Sequence, residues 1–514
     1  MGAGMGVGAG RHAVVIGGSM AGLLAARVLA DHFAQVSVIE RDHFPADPTY
    51  RAGVPQARHV HGLLVRGYQV LQALFPGLDG DLAAAEAPLL DWTADMAMLG
   101  LAGWSVRYRS GLVSRFASRP LLEGLIRRHL ARFANVHLLD DHQVVGLLPA
   151  VRDTAVAGVR VRARRPLDGA VERDIAADFV VDASGRSSRA PAWLAALGYE
   201  PPQETTINAF LGYASRWYHR PPGQHDRWHG LLIGARAPDQ TRGGVLAPIE
   251  GNRWIVTLAG LGGDYPPTDH DAAFLDFARS LRSPLLYEAI RDAQPLTPIY
   301  GYRRTENCLR HYERLRRWPE RFVVLGDAVC TFNPVYGQGM SVAAQGAQLL
   351  DRCLRQVQHA RPRGAHEPRD LTGLARAFQR QVAALNATPW LMATGEDLRW
   401  ASTQGGQPGE LTRLTQRYMD AIITLMVRSP RASRAFMEVW HLLAPPATLF
   451  HPSLVALVAG QALERSGHHR NRANARGELA PVAEQPPRND AGQGSPTQGA
   501  QRTSDYAEGT GRTA

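Results

Sequence analysis

Short runs in which every position is apolar punctuate the chain, and between them apolar residues recur at helical spacing. A strand covered on both faces produces the first kind of run, because successive side chains point to opposite sides. Residues 13–16 (Ala-Val-Val-Ile) are such a run. A glycine-rich turn at 17–22 and an apolar helix follow, and the run 35–39 repeats the strand. The pattern predicts a strand–helix–strand unit between residue 11 and about 75, the start of a parallel sheet. Residues 118–130 predict an amphipathic helix, with Ser118 as cap and Pro120 in the first turn. Apolar runs at 135–139 and 142–148 come next. Two β-type runs, 156–163 and 170–175, are joined by a polar turn and predict a small antiparallel meander. A strand at 178–182 then ends in Ala183-Ser184-Gly185.

From 191 to 310 the pattern changes to spaced runs at 208–214, 230–233, 244–249 and 253–258. They predict an antiparallel sheet, a wall suited to substrate selection. Residues 322–325 read as another buried strand. Helices are predicted at 348–361, 374–385 and through 410–465, with apolar stripes at 418–427 and 436–443 and a break at Pro445-Pro446. Bundle packing is the default explanation of those stripes, and contact with a membrane surface the alternative. The expected fold class is α/β (α+β overall). A Rossmann-like domain is expected from 11–190, with an inserted segment at about 76–115, and is closed by 311–390. An antiparallel substrate domain would span 191–310 and a helical region 391–465. The tail, 466–514, is rich in Gly, Pro, Gln and Ser and reads as disordered.

Two segments carry chemistry. The strand at 322–325 runs into Gly326-Asp327, then Pro334, Gly337, Gln338, Gly339 and Met340, with Ser341 a candidate cap for the next helix. Ligands of open α/β sheets gather beyond the carboxyl ends of strands, so Asp327 stands where a polyhydroxyl chain would lie. The Gly337–Gly339 backbone leaves room for a flat ring, and the helix start favours negative charge. A reduced flavin has that shape and that charge. The earlier turn holds Gly17, Gly18, Ser19, Met20, Ala21 and Gly22. The dinucleotide fingerprint wants glycine at its first, third and sixth positions; Gly17 and Gly22 match, and Ser19 takes the middle place. Glu40 ends the following strand 23 residues beyond Gly17, about the ~20-residue spacing of a ribose-binding carboxylate. The two segments in this order predict FAD. The Gly-Ala run at residues 2–10 follows no apolar strand and is a decoy.

The chain has 514 residues, 57 Lys+Arg against 47 Asp+Glu and a net charge of +10. None of the basic residues is lysine. The arginines are dispersed, so no nucleic-acid partner is expected. A chain without lysine has no Schiff-base or phosphate-loop ATPase chemistry. Cys308, Cys330 and Cys353 form no metal-type cluster, and an odd cysteine count suits a reducing cytoplasm, the expected location. Cys330 reads as a small buried hydrophobe. The histidines lack metal-ligand spacing, and neither a signal peptide nor a membrane-spanning run is expected.

With these motifs in order, residues 11 to about 390 resemble the class A flavin monooxygenases of the para-hydroxybenzoate hydroxylase fold. A closer likeness is to bacterial flavin epoxidases of polyether biosynthesis. It rests on the block from Arg51 through Gly53, Pro55, Arg58 and His59 to His61, on Arg253-Trp254-Ile-Val-Thr, and on Asn333-Pro-Val-Tyr-Gly337. The resemblance implies that Gly17, Ser19, Met20 and Gly22 surround the FAD pyrophosphate. It implies Glu40 on the adenosine ribose with Arg41 beside it, and Arg119 near the ribityl or phosphate chain. Asp327 would take the ribityl hydroxyls, Gly337 to Met340 the ring, and Arg51 would also reach the flavin. The middle motif departs from the family, with Ser184-Gly185 where Asp-Gly is usual. The lack of lysine argues against the flavin halogenases.

The implied activity is an FAD monooxygenase, with NAD(P)H or a partner flavin reductase supplying electrons. A flavin C4a-hydroperoxide would epoxidise or hydroxylate an apolar organic substrate, a polyene, terpenoid or polyketide, or an aromatic. No protein nucleophile or metal is needed, and no catalytic residue stands out. Tyr336, Trp254 and His61 read as pocket-lining or packing residues. A reductase or dehydrogenase acting on a lipid C=C bond, and a non-catalytic flavin-binding protein, are the alternatives.

Overall fold

The uniformly apolar runs pair with one another into a five-stranded parallel sheet, ordered Phe322–Val324, Phe179–Asp182, His12–Ile16, Gln35–Ile39, Val136–Leu139. Val14, Val180 and Val323 are fully buried, as strands covered on both faces must be. The helices Met20–Ala30 and Gly339–His359 pack against each other and cover the sheet. The computed structural model describes residues 12–150, 154–164, 172–223, 227–359 and 370–467. The tail expected to be disordered lies outside these residues from 468 on, and the helix Pro452–Gly467 reaches its start.

The meander is present as three antiparallel strands, His142–Pro149, Val156–Ala163 and Arg173–Ala176. Ser118 caps the helix Arg119–Leu130, its Oγ accepting from Leu121 N at 3.3 Å. A six-stranded sheet forms the opposing wall, ordered Tyr300–Tyr302, Gly212–His219, Arg253–Gly260, Arg242–Ile249, Gly230–Ile233, Met96–Leu99. The pairs within it are antiparallel except the last, where Met96–Leu99 joins Gly230–Ile233 in parallel.

Several expectations need correction. The run expected as a strand at 208–214 enters the sheet only at Gly212–His219. Asn208 Oδ1 accepts from Phe210 N at 2.8 Å, and Phe210 is left-handed (φ +51°), so the chain turns first. Helices Asp271–Arg279 and Leu285–Ile290 follow the strands in a region expected to be β alone. Ser341 is not a cap. Gly337 turns the chain at φ +69°, the helix opens at Gly339, and Ser341 lies fully buried in its first turn. The helix expected at 374–385 continues to Asp397 through an internal Pro389. Beyond it, Glu410–Leu425, Pro430–Trp440 and Pro452–Gly467 supply the expected C-terminal helices. Among the described residues no helix is long and apolar enough to cross a membrane.

Candidate active site

Strands His12–Ile16, Gln35–Ile39, Phe179–Asp182 and Phe322–Val324 are parallel, so the residues that follow them emerge at one edge. A cavity of about 490 Å³ opens there. Gly17, Glu40, Ser184 and Asp327 line it from the strand ends, and Tyr213 and Tyr302 from the six-stranded sheet. Twelve of the sixteen residues proposed from sequence line this cavity: Gly17, Ser19, Met20, Ala21, Glu40, Arg41, Arg119, Asp327, Pro334, Gly337, Gly339 and Met340. Gly18, Gly22, Arg51 and Gln338 do not.

Those four act one step behind the cavity wall. A Cβ on Gly22 would lie 1.8 Å from the Gly17 carbonyl oxygen, so this glycine lets the helix close onto the strand end. The Gly18 amide donates to Glu40 Oε2 at 2.7 Å. Gln338 is buried, and its Oε1 has no hydrogen-bond partner among the described residues. Arg51 is buried among carboxylates, 2.5 Å from Glu123 Oε1 and 3.4 Å from Glu40 Oε2. Glu123 also accepts from Arg119 Nε at 2.7 Å, while Arg119 Nη2 donates to Ser19 Oγ at 2.8 Å. Burial alone would raise the Glu123 carboxyl, but Arg119 and Arg51 outweigh it and hold it below its ordinary value. Sequence reasoning missed Glu123, although its place four residues after Arg119 on one helix was the available signal.

Asp327 gives the clearest test of whether the residues fit a flavin nucleotide. Burial raises its carboxyl above the ordinary value against the pull of Arg186, Arg119 and Arg310. No donor among the described residues reaches that carboxylate; the one bond at Asp327 runs from Thr331 Oγ1 to its main-chain oxygen. An unpartnered acid facing a cavity calls for a ligand rich in hydroxyls. Gly337 and Gly339 border the same cavity, and a Cβ on either would meet its nearest atom only at 3.9 Å. An unpartnered acid, a glycine turn bonded by Arg119 and a backbone-only wall together suit FAD.

The Ser184-Gly185 variant has a local explanation. Asp182, fully buried at the strand end, accepts from Ser184 N at 2.9 Å and Ser188 Oγ at 2.5 Å. The acid that closes this turn comes from inside the strand, and Gly185 supplies the left-handed residue (φ +81°). Of the three residues read as pocket-lining or packing, His61 lines the cavity, whereas Trp254 is a buried core residue 1% exposed. Tyr336 lies outside the lining and bonds Asp397. Arg186, Arg304, Tyr213 and Tyr302 line the cavity and were not foreseen.

Burial pushes the His61 imidazole down to about 4 from 6.5. The unfolded chain therefore takes up this proton first as the pH falls, and stability is lost between pH 6.5 and about 4. A His61→Gln protein is expected to lose about 2 kcal/mol less stability than the parent between pH 7 and pH 5. Urea titrations at the two pH values check this, and equal losses would show that His61 is charged in the folded state.

Comparison with known proteins agrees with this geometry. The family described as FAD binding domain matches residues 11–365. Protein Rv3254 of Mycobacterium tuberculosis is 35% identical over 400 residues, covering 74% of this chain and 79% of that protein. Kynurenine 3-monooxygenase of Salinispora tropica is 26% identical over 363 residues, covering 66% and 72%. Flavin-dependent brominase Bmp2 shares the fold at a TM-score of 0.59 and 15% identity, over 89% of this chain and 99% of that one. PqsL of Pseudomonas aeruginosa in complex with 2-aminobenzoylacetate shares it at 0.54 and 16%, over 84% and 100%. The chain belongs to the FAD binding domain family.

Proposed function

We propose that the chain takes electrons from NAD(P)H and transfers one oxygen atom of O₂ to an apolar organic substrate, with epoxidation of a polyene-like chain favoured over aromatic hydroxylation. The observation that carries the site is the unpartnered Asp327 carboxylate in a cavity shared by the strand ends and the six-stranded sheet. In this reading Gly17, Ser19 and Met20 cradle the pyrophosphate, with Arg119 beside them and Gly22 closing the turn. Glu40 and Arg41 take the adenosine ribose, Asp327 the ribityl hydroxyls, and Gly337 to Met340 lie along the ring. Arg51 acts through Glu40 and Glu123. When bound, FAD supplies the activation of O₂.

The chain's own residues must bind the substrate, orient it and keep water out. Burial raises the hydroxyls of Tyr213 and Tyr302 above ordinary tyrosine, so both remain protonated at neutral pH and can donate. Their rings stack with centroids 5.4 Å apart and give the substrate side a flat aromatic wall. The likeness to a brominase does not extend to halogenation in this reading, because the chain has no lysine.

Turnover under ¹⁸O₂ with NADPH and a panel of polyenes, quinones and phenols tests the proposal. Product carrying one labelled atom, formed only with substrate present, is the expected result; unlabelled product would defeat it. The second reading, reduction of a lipid C=C bond, draws on Ser184-Gly185. Turnover that persists without oxygen would favour it.

A further inference from the structure

We infer that Asp397 is a positioning residue that sets the loop from Asn333 to Gly339 against the FAD ring; this rests on the FAD site proposed above. Asp397 is the last residue of the helix Leu374–Asp397 and is fully buried. Its carboxylate collects three side chains. Asn307 Nδ2 donates to Oδ2 at 2.6 Å, and Tyr336 Oη donates to Oδ1 at 2.6 Å. Asn333 Nδ2 reaches Oδ1 and Oδ2 at 3.0 and 3.1 Å. Asn333 is held a second time through its backbone, which donates to Asn307 Oδ1 at 2.7 Å. Its own Oδ1 accepts from Val335 N at 3.2 Å and starts the turn that delivers Gly337.

Apolar burial holds this loop only at Tyr336, which packs against the main core. Pro334 is exposed and Val335 is 46% exposed, so the polar contacts at the base of the loop fix its first half. Asp397 is the acceptor those contacts share. Trp440 adds a second tether, its Nε1 donating to the Tyr336 carbonyl at 3.2 Å. Both Asp397 and Trp440 lie beyond residue 365, where the family match ends, so C-terminal helices hold a loop that the matched region supplies. The adenosine and pyrophosphate ends of the cavity are built from other segments. The effect of Asp397 is therefore confined to the ring end.

The test is Asp397→Asn in the full chain, which keeps the volume but turns an N–H₂ group toward the amides of Asn307 and Asn333. The variant is expected to bind FAD. Its bound flavin should show a shifted absorption band and a several-fold rise in fluorescence over the parent, because the ring loses its fixed wall. A folded, FAD-loaded variant with the parent's spectrum and fluorescence would overturn the inference. If circular dichroism shows that Asp397→Asn does not fold, Tyr336→Phe removes one donor and leaves the core in place. A smaller change of the same kind supports the inference there, and an unchanged spectrum overturns it. If the parent itself bound no FAD, the site reading would fail instead. None of these readouts requires substrate or turnover.

Discussion

Replacing Glu123 with alanine is expected to lower folding stability by about 3–5 kcal/mol, the usual cost of removing one partner from a buried ion pair. The side chain is 4% exposed and sits between the guanidinium groups of Arg51 and Arg119, themselves 4% and 6% exposed. Without it both cations lose their closest acceptor: Arg51 keeps the longer contacts to Glu40 and Asp42, and Arg119, at the cavity edge, keeps Ser19. The urea midpoint of the protein without flavin measures the effect. A loss below about 1 kcal/mol, the worth of an exposed pair, would mean that solvent reaches this cluster. In the proposed site the pyrophosphate brings negative charge to the same turn, so FAD should raise the melting temperature of the variant more than that of the parent.

The second large effect is expected at Asp327, where stability and cofactor binding should move in opposite directions. The folded carboxyl lies above its ordinary 3.8, so the folded protein holds this proton more tightly than the unfolded chain does. Stability is then lost as pH rises from 3.8 through the raised value, and the penalty persists at pH 7. Asp327→Asn removes that penalty, so the flavin-free variant should melt at a higher temperature than the parent at pH 7, with no difference near pH 3. The same change removes the charge from the acceptor proposed for the ribityl hydroxyls. Hydrogen bonds to a charged group contribute about 1.5–3 kcal/mol, so FAD should bind roughly 10–150-fold more weakly. A fluorescence titration with FAD and a melting curve without it check the two signs separately. Unchanged affinity would remove Asp327 from the site.

Much of this was readable in the chain because parallel strands buried on both faces leave uniformly apolar runs, and because glycines are forced where backbones meet. Gly17, Gly22, Glu40 and Asp327 each sit at a junction that such runs define. The substrate side was harder to foresee. Tyr213, Tyr302 and Arg186 come from segments far apart in sequence, and only tertiary packing brings them to one cavity. Phe210 hid the true start of a strand, because an aromatic residue in the left-handed region leaves no mark on hydrophobic pattern. Asp397 was unreadable for another reason. A helix C-terminus disfavours a carboxylate, so nothing local recommends an acid there until Asn307, Asn333 and Tyr336 are seen around it.

The parallel pairing of Met96–Leu99 with Gly230–Ile233 bears on how the protein could be re-engineered. The six-stranded wall is stitched from two stretches of chain more than a hundred residues apart. A chimera that borrowed residues 191–310 from a relative would import a wall with one edge strand of foreign origin. The backbone groups of Gly230–Ile233 would then face a mismatched neighbour, and the new specificity would come with a frayed rim. Transplanting residues 89–115 together with the donor sheet keeps that seam intact.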